Sequence, residues 1–171
     1  MGIRATGLTR CIYTDMGVEI ERTFLVHTDK LPKLGEPVVI EQAYLSDDPC
    51  VRVRLMTRSG VSIAFLTIKG PGTVERAEFE WEIPVKDAEQ ILSQGLWDTA
   101  LVKKRYTLGR WEVDAFDGGL EGLWLAEIEL KSADEEFDKP KWLGKEVSDD
   151  PAFTNVVLAR EGDYPIDEVP P

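Results

Sequence analysis

Apolar and polar residues alternate along short segments of this chain, and turn residues separate one segment from the next. A period of two places successive side chains on opposite faces of a β-strand, while Gly, Pro, Asp and Ser mark the connections. We therefore expect a mostly β protein. The alternation predicts eight strands, at Val18–His27, Pro37–Leu45, Val51–Arg58, Val61–Ile68, Val74–Val85, Ala100–Leu108, Arg110–Phe116 and Leu123–Lys131.

Helical periodicity is confined to two short stretches. In Lys86–Gln94 the apolar residues share one side, and Gly95 follows as a stop. A second helix is predicted to begin at Asp150-Pro151, because Asp150 can cap free amides and Pro151 suits the first helical position. It would run to about Arg160. We expect these helices to cover the sheet.

Charges of one sign recur two residues apart in most of the predicted strands, and side chains at that spacing share a face. For any single pair, the solvent face of an ordinary sheet is the alternative interpretation. Like charges close together are unfavourable, however, and the whole set favours an interior where ligands neutralise them. The basic positions are Arg52, Arg54, Lys69, Lys103 and Arg105, and the acidic ones are Glu19, Glu21, Glu78, Glu80, Glu82, Glu112, Asp114, Glu127 and Glu129. The apolar residues between them, Ile20, Val53, Phe79, Trp81, Val113 and Ile128, are expected to pack outward against covering helices and loops.

Composition narrows the functional classes. The 171 residues suit one domain, and the net charge of −12 argues against binding to nucleic acid or to an anionic membrane surface. No apolar run approaches the roughly 18 residues that span a bilayer, and the first residues lack an export signal, so we expect a cytoplasmic protein. His27 is the single histidine, which excludes hydrolases with a histidine base. Cys11 and Cys50 lack metal-ligand spacing and are expected to be free thiols.

The charged residues suggest a chemistry. Paired carboxylates without histidine or thiolate are hard oxygen ligands that suit Mg²⁺ or Mn²⁺. Arginine and lysine match phosphate oxygens, so the basic positions form a cradle for several phosphoryl groups. Phosphoryl transfer needs positioning and charge neutralisation, which metal and bases together provide, and a remaining carboxylate could orient the attacking water.

The same residues occur in a recognisable order. The segments EIERTFLV, QAYLS, VRVR, LTIKG, EFEWEIP, LVKKRY, WEVDAF, LAEIEL and WLGKEVSDD resemble the CYTH superfamily, the triphosphate tunnel metalloenzymes. The resemblance implies an α+β, mostly β fold: an eight-stranded antiparallel β-barrel, the triphosphate tunnel, with a few covering helices and a C-terminal plug helix. It implies a CYTH domain over residues 17–160, preceded by an N-terminal extension over 1–16 and followed by a loosely held, acidic and proline-rich tail over 161–171.

The resemblance also assigns roles, and it is greatest to small bacterial inorganic triphosphatases. It implies metal ligands at Glu19, Glu21, Glu127, Glu129 and Asp114. It implies phosphate binding by Arg52, Arg54, Lys69, Lys103, Arg105 and Thr23. Catalytic roles are expected for Glu78, Glu80, Lys69 and Lys103. The implied reaction is Mg²⁺- or Mn²⁺-dependent hydrolysis of the terminal phosphoanhydride of a small triphosphate, above all tripolyphosphate, with ATP and thiamine triphosphate as other substrates, by a monomer or homodimer.

One position departs from the family signature ExExK. The chain reads Glu19-Ile20-Glu21-Arg22-Thr23, so a hydroxyl replaces the inward lysine, and Arg22 is predicted to point outward. Phe153 and Thr154 also stand where related sequences often have tyrosine and lysine. These departures leave two alternatives open: a triphosphate- or nucleotide-binding module that is weakly active or inactive, and an adenylate cyclase.

Overall fold

The computed structural model describes residues 18–72, 74–165, 167 and 169–170. The extension predicted for residues 1–16 lies outside the described residues. Nine strands and two helices are present in that part of the chain. The strands are β1 Val18–Val26, β2 Val38–Asp47, β3 Cys50–Arg58, β4 Val61–Lys69, β5 Glu75–Ile83, β6 Thr99–Leu108, β7 Trp111–Phe116, β8 Trp124–Glu129 and β9 Leu143–Glu146; the helices are α1 Val85–Ser93 and α2 Asn155–Glu161.

The first eight strands close into an antiparallel barrel in the order β5-β4-β3-β2-β6-β7-β8-β1. Strand β1 closes it, because Val18–Ile20 pairs with β5 on one side while Glu21–Leu25 pairs with β8 on the other. Gly72, with a φ of +120°, lies in the connection between β4 and β5, in a conformation that glycine adopts without strain. The prediction of an eight-stranded antiparallel barrel is confirmed.

Two local features differ from the predicted elements. Strand β9 was not predicted; it adds a short edge strand beside Phe24 and Val26 of β1. The predicted C-terminal helix is interrupted: a 3₁₀ turn spans Pro151–Phe153, Thr154 is extended, and α2 follows. Asp150 caps the turn as expected, accepting a hydrogen bond from the Ala152 amide at 3.0 Å.

Much of the apolar packing lies outside the barrel wall. Helix α1 covers β3 and β4 through Ala88, and an aromatic cluster covers β1, β7 and β8. Val53, Val113 and Ile128 are buried in these layers, as predicted. Phe79 and Trp81 also point outward but are 52% and 48% exposed, so the prediction that they are covered is wrong within the described residues. They stack on each other instead, with ring centroids 6.3 Å apart.

One end of the barrel interior is apolar. By the period of the strands, Leu25, Leu125 and Phe116 share the inner face with the charged residues. They pack with Phe153 and with Leu158 of α2, which close this end. The tail also reaches this cluster, since Tyr164 and Val169 pack against it, and the Tyr164 hydroxyl donates to the Glu121 carbonyl at 3.1 Å. The domain boundary at residue 160 stays a prediction.

Candidate active site

A cavity of about 950 Å³ occupies the rest of the barrel interior. Strand alternation turns the charged residues of β1 and β3 to β8 into it. As many basic as acidic side chains line it. The predicted site residues that line it are Glu19, Glu21, Thr23, Arg52, Arg54, Lys69, Glu78, Glu80, Lys103, Arg105, Glu127 and Glu129. Of the predicted site residues, Asp114 alone does not line it, and Glu82 of the same charge pattern is exposed instead.

The bases and acids pair with each other along the cavity wall, between adjacent strands or strands separated by one other. Near β5, the Lys69 ammonium lies 2.9 Å from Glu19 and 3.0 Å from Glu78, although 50 residues separate Lys69 from Glu19. Arg54 binds Glu80 at 2.9 Å, and Arg52 lies 3.6 Å from the same carboxylate. The repulsion within each strand is thus relieved in part by charges of the opposite sign on nearby strands. Ligands were expected to neutralise these charges, but ion pairs within the barrel already do so in part.

A second network lies between β6 and β8 around Asp114. The Asp114 carboxylate is fully buried and accepts hydrogen bonds from Lys103 at 2.6 Å and from Arg105 at 2.6 and 2.7 Å. Arg105 also binds Glu127 at 2.6 Å and contacts Glu112. Burial alone would raise the pKa of Asp114, but Arg105 and Lys103 outweigh it and hold that pKa well below its usual range.

This environment bears on the metal-ligand role predicted for Asp114, which stays a prediction. Both oxygens of Asp114 accept hydrogen bonds from cations, and Asp114 is not among the residues that line the cavity. In this arrangement Asp114 orients Lys103 and Arg105. Lys103 is 1% exposed, and burial lowers the pKa of its ammonium against the opposing effect of Asp114.

The acidic side of the cavity is formed by β1 and β8. Glu21 pairs directly with Glu129 in the strand register, and Thr23 with Glu127. Burial, together with the charges of Glu127 and Glu19, raises the pKa of Glu21 well above its usual range. Burial also raises the pKa of Glu129, helped by Glu19. Carboxylates are therefore crowded at this wall.

These carboxylates fit a divalent cation in donor chemistry and in charge. Among the described residues, however, no three His, Cys, Asp or Glu side chains converge as a preformed metal site. The carboxylates are already engaged in ion pairs: Lys69 and Arg76 each lie 2.9 Å from Glu19, and Arg105 binds Glu127. Lys69 and Arg76 outweigh burial and keep the pKa of Glu19 well below its usual range. Metal binding at this wall would require some of these ion pairs to open.

Several residues that line the cavity were not predicted from the sequence. Arg76 lies 3.7 Å from Glu21 in addition to its contact with Glu19. It precedes Glu78 by two residues, so extending the alternation by one step would have found it and would have shown that β5 is not of one sign. Asn155 of α2 belongs to the second network, accepting from Lys103 at 2.9 Å and donating to Glu127 at 3.3 Å. Only the tertiary structure brings it there.

Thr23 occupies the position of the missing lysine. Its side chain lines the cavity, and its amide donates to Ser148 Oγ at 3.0 Å. Arg22 points away from the cavity, as predicted, and pairs with Glu146 of β9 at 3.3 Å. Phe153 and Thr154 also line the cavity.

The model of the CYTH domain matches residues 17–153. The chain belongs to the CYTH domain family. An inorganic triphosphatase of Acetivibrio thermocellus is 40% identical over 152 residues, covering 85% of this chain and 95% of the relative. An inorganic triphosphatase of Nitrosomonas europaea is 35% identical over 153 residues, covering 82% and 96%. A solved structure of the inorganic triphosphatase NE1496 is 32% identical with a TM-score of 0.57, covering 83% of this CYTH chain and 94% of that one. No helix in the described part of this CYTH protein is long and apolar enough to cross a membrane.

Proposed function

We propose that the protein hydrolyses the terminal phosphoanhydride of a small triphosphate, above all inorganic tripolyphosphate, with Mg²⁺ or Mn²⁺. The observation that supports this most is the barrel interior, where bases from four strands, β3 to β6, and carboxylates from β1, β5, β7 and β8 face one cavity. The two inorganic triphosphatases that are 40% and 35% identical over most of this chain support the same reaction.

The bases would hold the phosphoryl chain. Arg52 and Arg54 of β3 offer planar, paired donors, while Lys69 offers a compact charge at the end of β4. Lys103 and Arg105 extend the cradle on β6, with Asp114 holding both in place. In this proposal Thr23 contributes a hydroxyl where the family signature has a cation.

The carboxylates at the β1 and β8 wall would hold the metal, with Glu19, Glu21, Glu127 and Glu129 as the ligands. A bound divalent cation would supply neutralisation of charge on the phosphoryl oxygens. The crowding that raises the pKa of Glu21 and of Glu129 favours a cation at this wall.

Glu78 is the better candidate for the proton acceptor. Burial raises its pKa, which brings a carboxylate closer to the range of an effective general base. Glu80 is tied to Arg54 at 2.9 Å and to the Thr67 hydroxyl at 2.7 Å, and these contacts hold its pKa low in spite of burial. It is better placed to orient Arg54.

In the proposed reaction, a water oxygen bonds to the terminal phosphorus as Glu78 accepts a water proton. The bond from that phosphorus to the bridging oxygen breaks, and the electron pair leaves with diphosphate while phosphate is released. Lys69, 3.0 Å from Glu78, lies where it can stabilise the charge that develops on the phosphoryl oxygens.

Phosphate release from tripolyphosphate, ATP and thiamine triphosphate with each metal tests the proposal. We expect Glu78→Gln to lower kcat by about a hundredfold or more. Glu75→Gln on the exposed outer face of the same strand is the matched control and should keep full activity. Full activity of Glu78→Gln would contradict its role as base. A folded wild-type protein that releases no phosphate from any of the three substrates would contradict the function itself.

Two alternatives gain no specific support. A second cavity of about 550 Å³ is lined by Arg22 and residues 145–151, mostly charged or polar, and offers no aromatic surface for the base of ATP in a cyclisation reaction. A binding module without turnover remains the outcome that a negative hydrolysis assay with positive binding would indicate.

A cytoplasmic location and a monomeric or homodimeric state are further proposals.

A further inference from the structure

Helix α2 contributes one polar side chain to the cavity lining. Leu158 of α2 is fully buried in the apolar cluster that closes the barrel end, and Val156 lines the cavity with an apolar side chain. Asn155, the first residue of the helix, also lines the cavity and is half-buried. Its amide carries an acceptor and two donors without a net charge. It lies between Lys103 of β6 and Glu127 of β8, which the proposed function assigns to phosphate and to metal.

The amide oxygen of Asn155 helps to fix the direction of the Lys103 ammonium. Lys103 Nζ donates to Asn155 Oδ1 at 2.9 Å and to Asp114 Oδ2 at 2.6 Å, and it lies 5.3 Å from the centre of the Phe116 ring. An ammonium has three hydrogens, and these two acceptors, from α2 and β7, use two of them. The third hydrogen is left for an acceptor in the cavity, and the first two contacts set its direction.

The amide nitrogen of Asn155 holds one oxygen of Glu127. Asn155 Nδ2 donates to Glu127 Oε1 at 3.3 Å, while Arg105 Nη2 donates to Oε2 at 2.6 Å. A carboxylate oxygen has two lone pairs, so Oε1 can accept from the amide and face a cation at the same time. The charge of Arg105 opposes a cation beside Glu127, whereas the neutral amide does not. A partner of this kind orients a metal ligand without competing with the metal.

We propose that Asn155 is a positioning residue for both parts of the site: its amide oxygen aims the Lys103 ammonium at the triphosphate, and its amide nitrogen presents Glu127 to the divalent cation. This inference rests on the proposed function. It extends that function to α2, which begins after residues 17–153, the part that the CYTH domain model matches. Because neither contact changes the charge of the cavity, both can persist when bound ions replace the ion pairs.

Asn155→Leu removes both hydrogen bonds and keeps a side chain of similar size, so it is the direct test. Calorimetry with Mn²⁺ alone reports on the Glu127 contact, and calorimetry with tripolyphosphate alone reports on the Lys103 contact. We expect each affinity to fall about fivefold, the effect of one hydrogen bond. Asn155→Gln keeps both amide groups on a longer side chain and should recover part of each affinity.

A control and two double variants separate positioning from a merely structural role. Leu158→Val is the matched control, because Leu158 anchors the same helix but does not line the cavity. It should lower the thermal midpoint and leave both affinities as in the wild type. In a Glu127→Gln background, Asn155→Leu should not weaken Mn²⁺ binding further. In a Lys103→Met background, the same substitution should not weaken tripolyphosphate binding further.

The outcomes separate this inference from the proposed function. Wild-type affinity for either ion in a folded Asn155→Leu variant would overturn the double role and leave the proposed function intact. Equal losses of affinity in Leu158→Val, or additive losses in the double variants, would also overturn it, because a loosened helix would then be the cause. A wild-type protein that neither binds tripolyphosphate, with or without metal, nor hydrolyses it would overturn the proposed function, and this inference with it.

Discussion

The Asp114→Asn substitution tests whether one buried carboxylate holds Lys103 and Arg105 of β6 in place. Asp114 is fully buried, and its oxygens accept from Lys103 and from two nitrogens of Arg105 at 2.6 to 2.7 Å. An asparagine of the same shape keeps one acceptor oxygen but removes the charge. It leaves the ammonium of Lys103, which is 1% exposed, without a counterion apart from the more distant Glu127.

The expected loss of stability follows from the burial of Asp114. Breaking a buried ion pair by removing one partner costs about 3–5 kcal/mol. For a domain of this size, that loss corresponds to a fall in the thermal midpoint of roughly 6–20 °C. Because Arg105 and Lys103 hold the pKa of Asp114 below the value of about 3.9 in an unfolded chain, the stabilisation is fully present above that pH and is lost as the pH falls from there through the lower pKa of the folded state. The difference in thermal midpoint between the variant and the wild type should therefore become smaller below about pH 4.

Thermal denaturation of metal-free protein at pH 7 measures the effect. Asp117→Asn is the matched control. Asp117 follows the last residue of β7 and pairs with Lys104 of β6 at 2.8 Å on the solvent side of the barrel wall. Water and salt screen that pair, so its loss should leave the midpoint nearly unchanged. An Asp114→Asn midpoint within about 2 °C of the wild type would refute the anchoring role.

Further predictions concern the cavity and its ions. Thr23→Lys should raise triphosphatase activity, because it restores a cation opposite Glu127; unchanged or lower activity would mean that the site is built around the hydroxyl. Chelation should abolish phosphate release, and added Mg²⁺ or Mn²⁺ should restore it, measured with tripolyphosphate. The raised pKa values of Glu21 and Glu78 mean that these two carboxylates bind more protons in the folded state than in the unfolded one, so the thermal midpoint of the metal-free protein should rise as the pH is lowered from neutral toward their ordinary value of 4.5. Saturating metal should make the thermal midpoint less dependent on pH. The same pH dependence with and without metal would contradict the proposed ligand role of Glu21.

Local alternation was enough to predict most of the strands and most of the cavity lining, while closure of the strands into a barrel was implied by the family resemblance. Which face a strand residue takes depends only on its neighbours along the chain, so the inward direction of Glu19, Arg52 and Lys103 could be read from the sequence. What covers the outer face cannot be read in that way. Phe79 and Trp81 have the outward direction that was predicted, but α1 lies over β3 and β4, and the two rings remain exposed.

Features that depend on contacts distant in sequence were not predictable. Strand β9, of sequence Leu-Gly-Lys-Glu, has no alternation of its own and is a strand because the edge of β1 supplies its partner. Asn155 enters the cavity only because α2 closes the barrel end. The ion pair between Glu19 and Lys69 depends on the same long-range closure, since β1 must meet β5 before Glu19 can reach Lys69.

The observed pairing changes how ligand binding should be understood. Each base that turns to a phosphoryl oxygen leaves a carboxylate without its partner, and a buried unpaired charge is costly. Lys69 and Arg76 share Glu19, and Arg105 is shared by Asp114 and Glu127, so phosphate binding exposes the acids that are proposed to bind the cation. Triphosphate and divalent cation should then bind cooperatively, because each neutralises the partners that the other displaces. The affinity for tripolyphosphate without metal should be low, even though the cavity contains five of the predicted phosphate-binding bases.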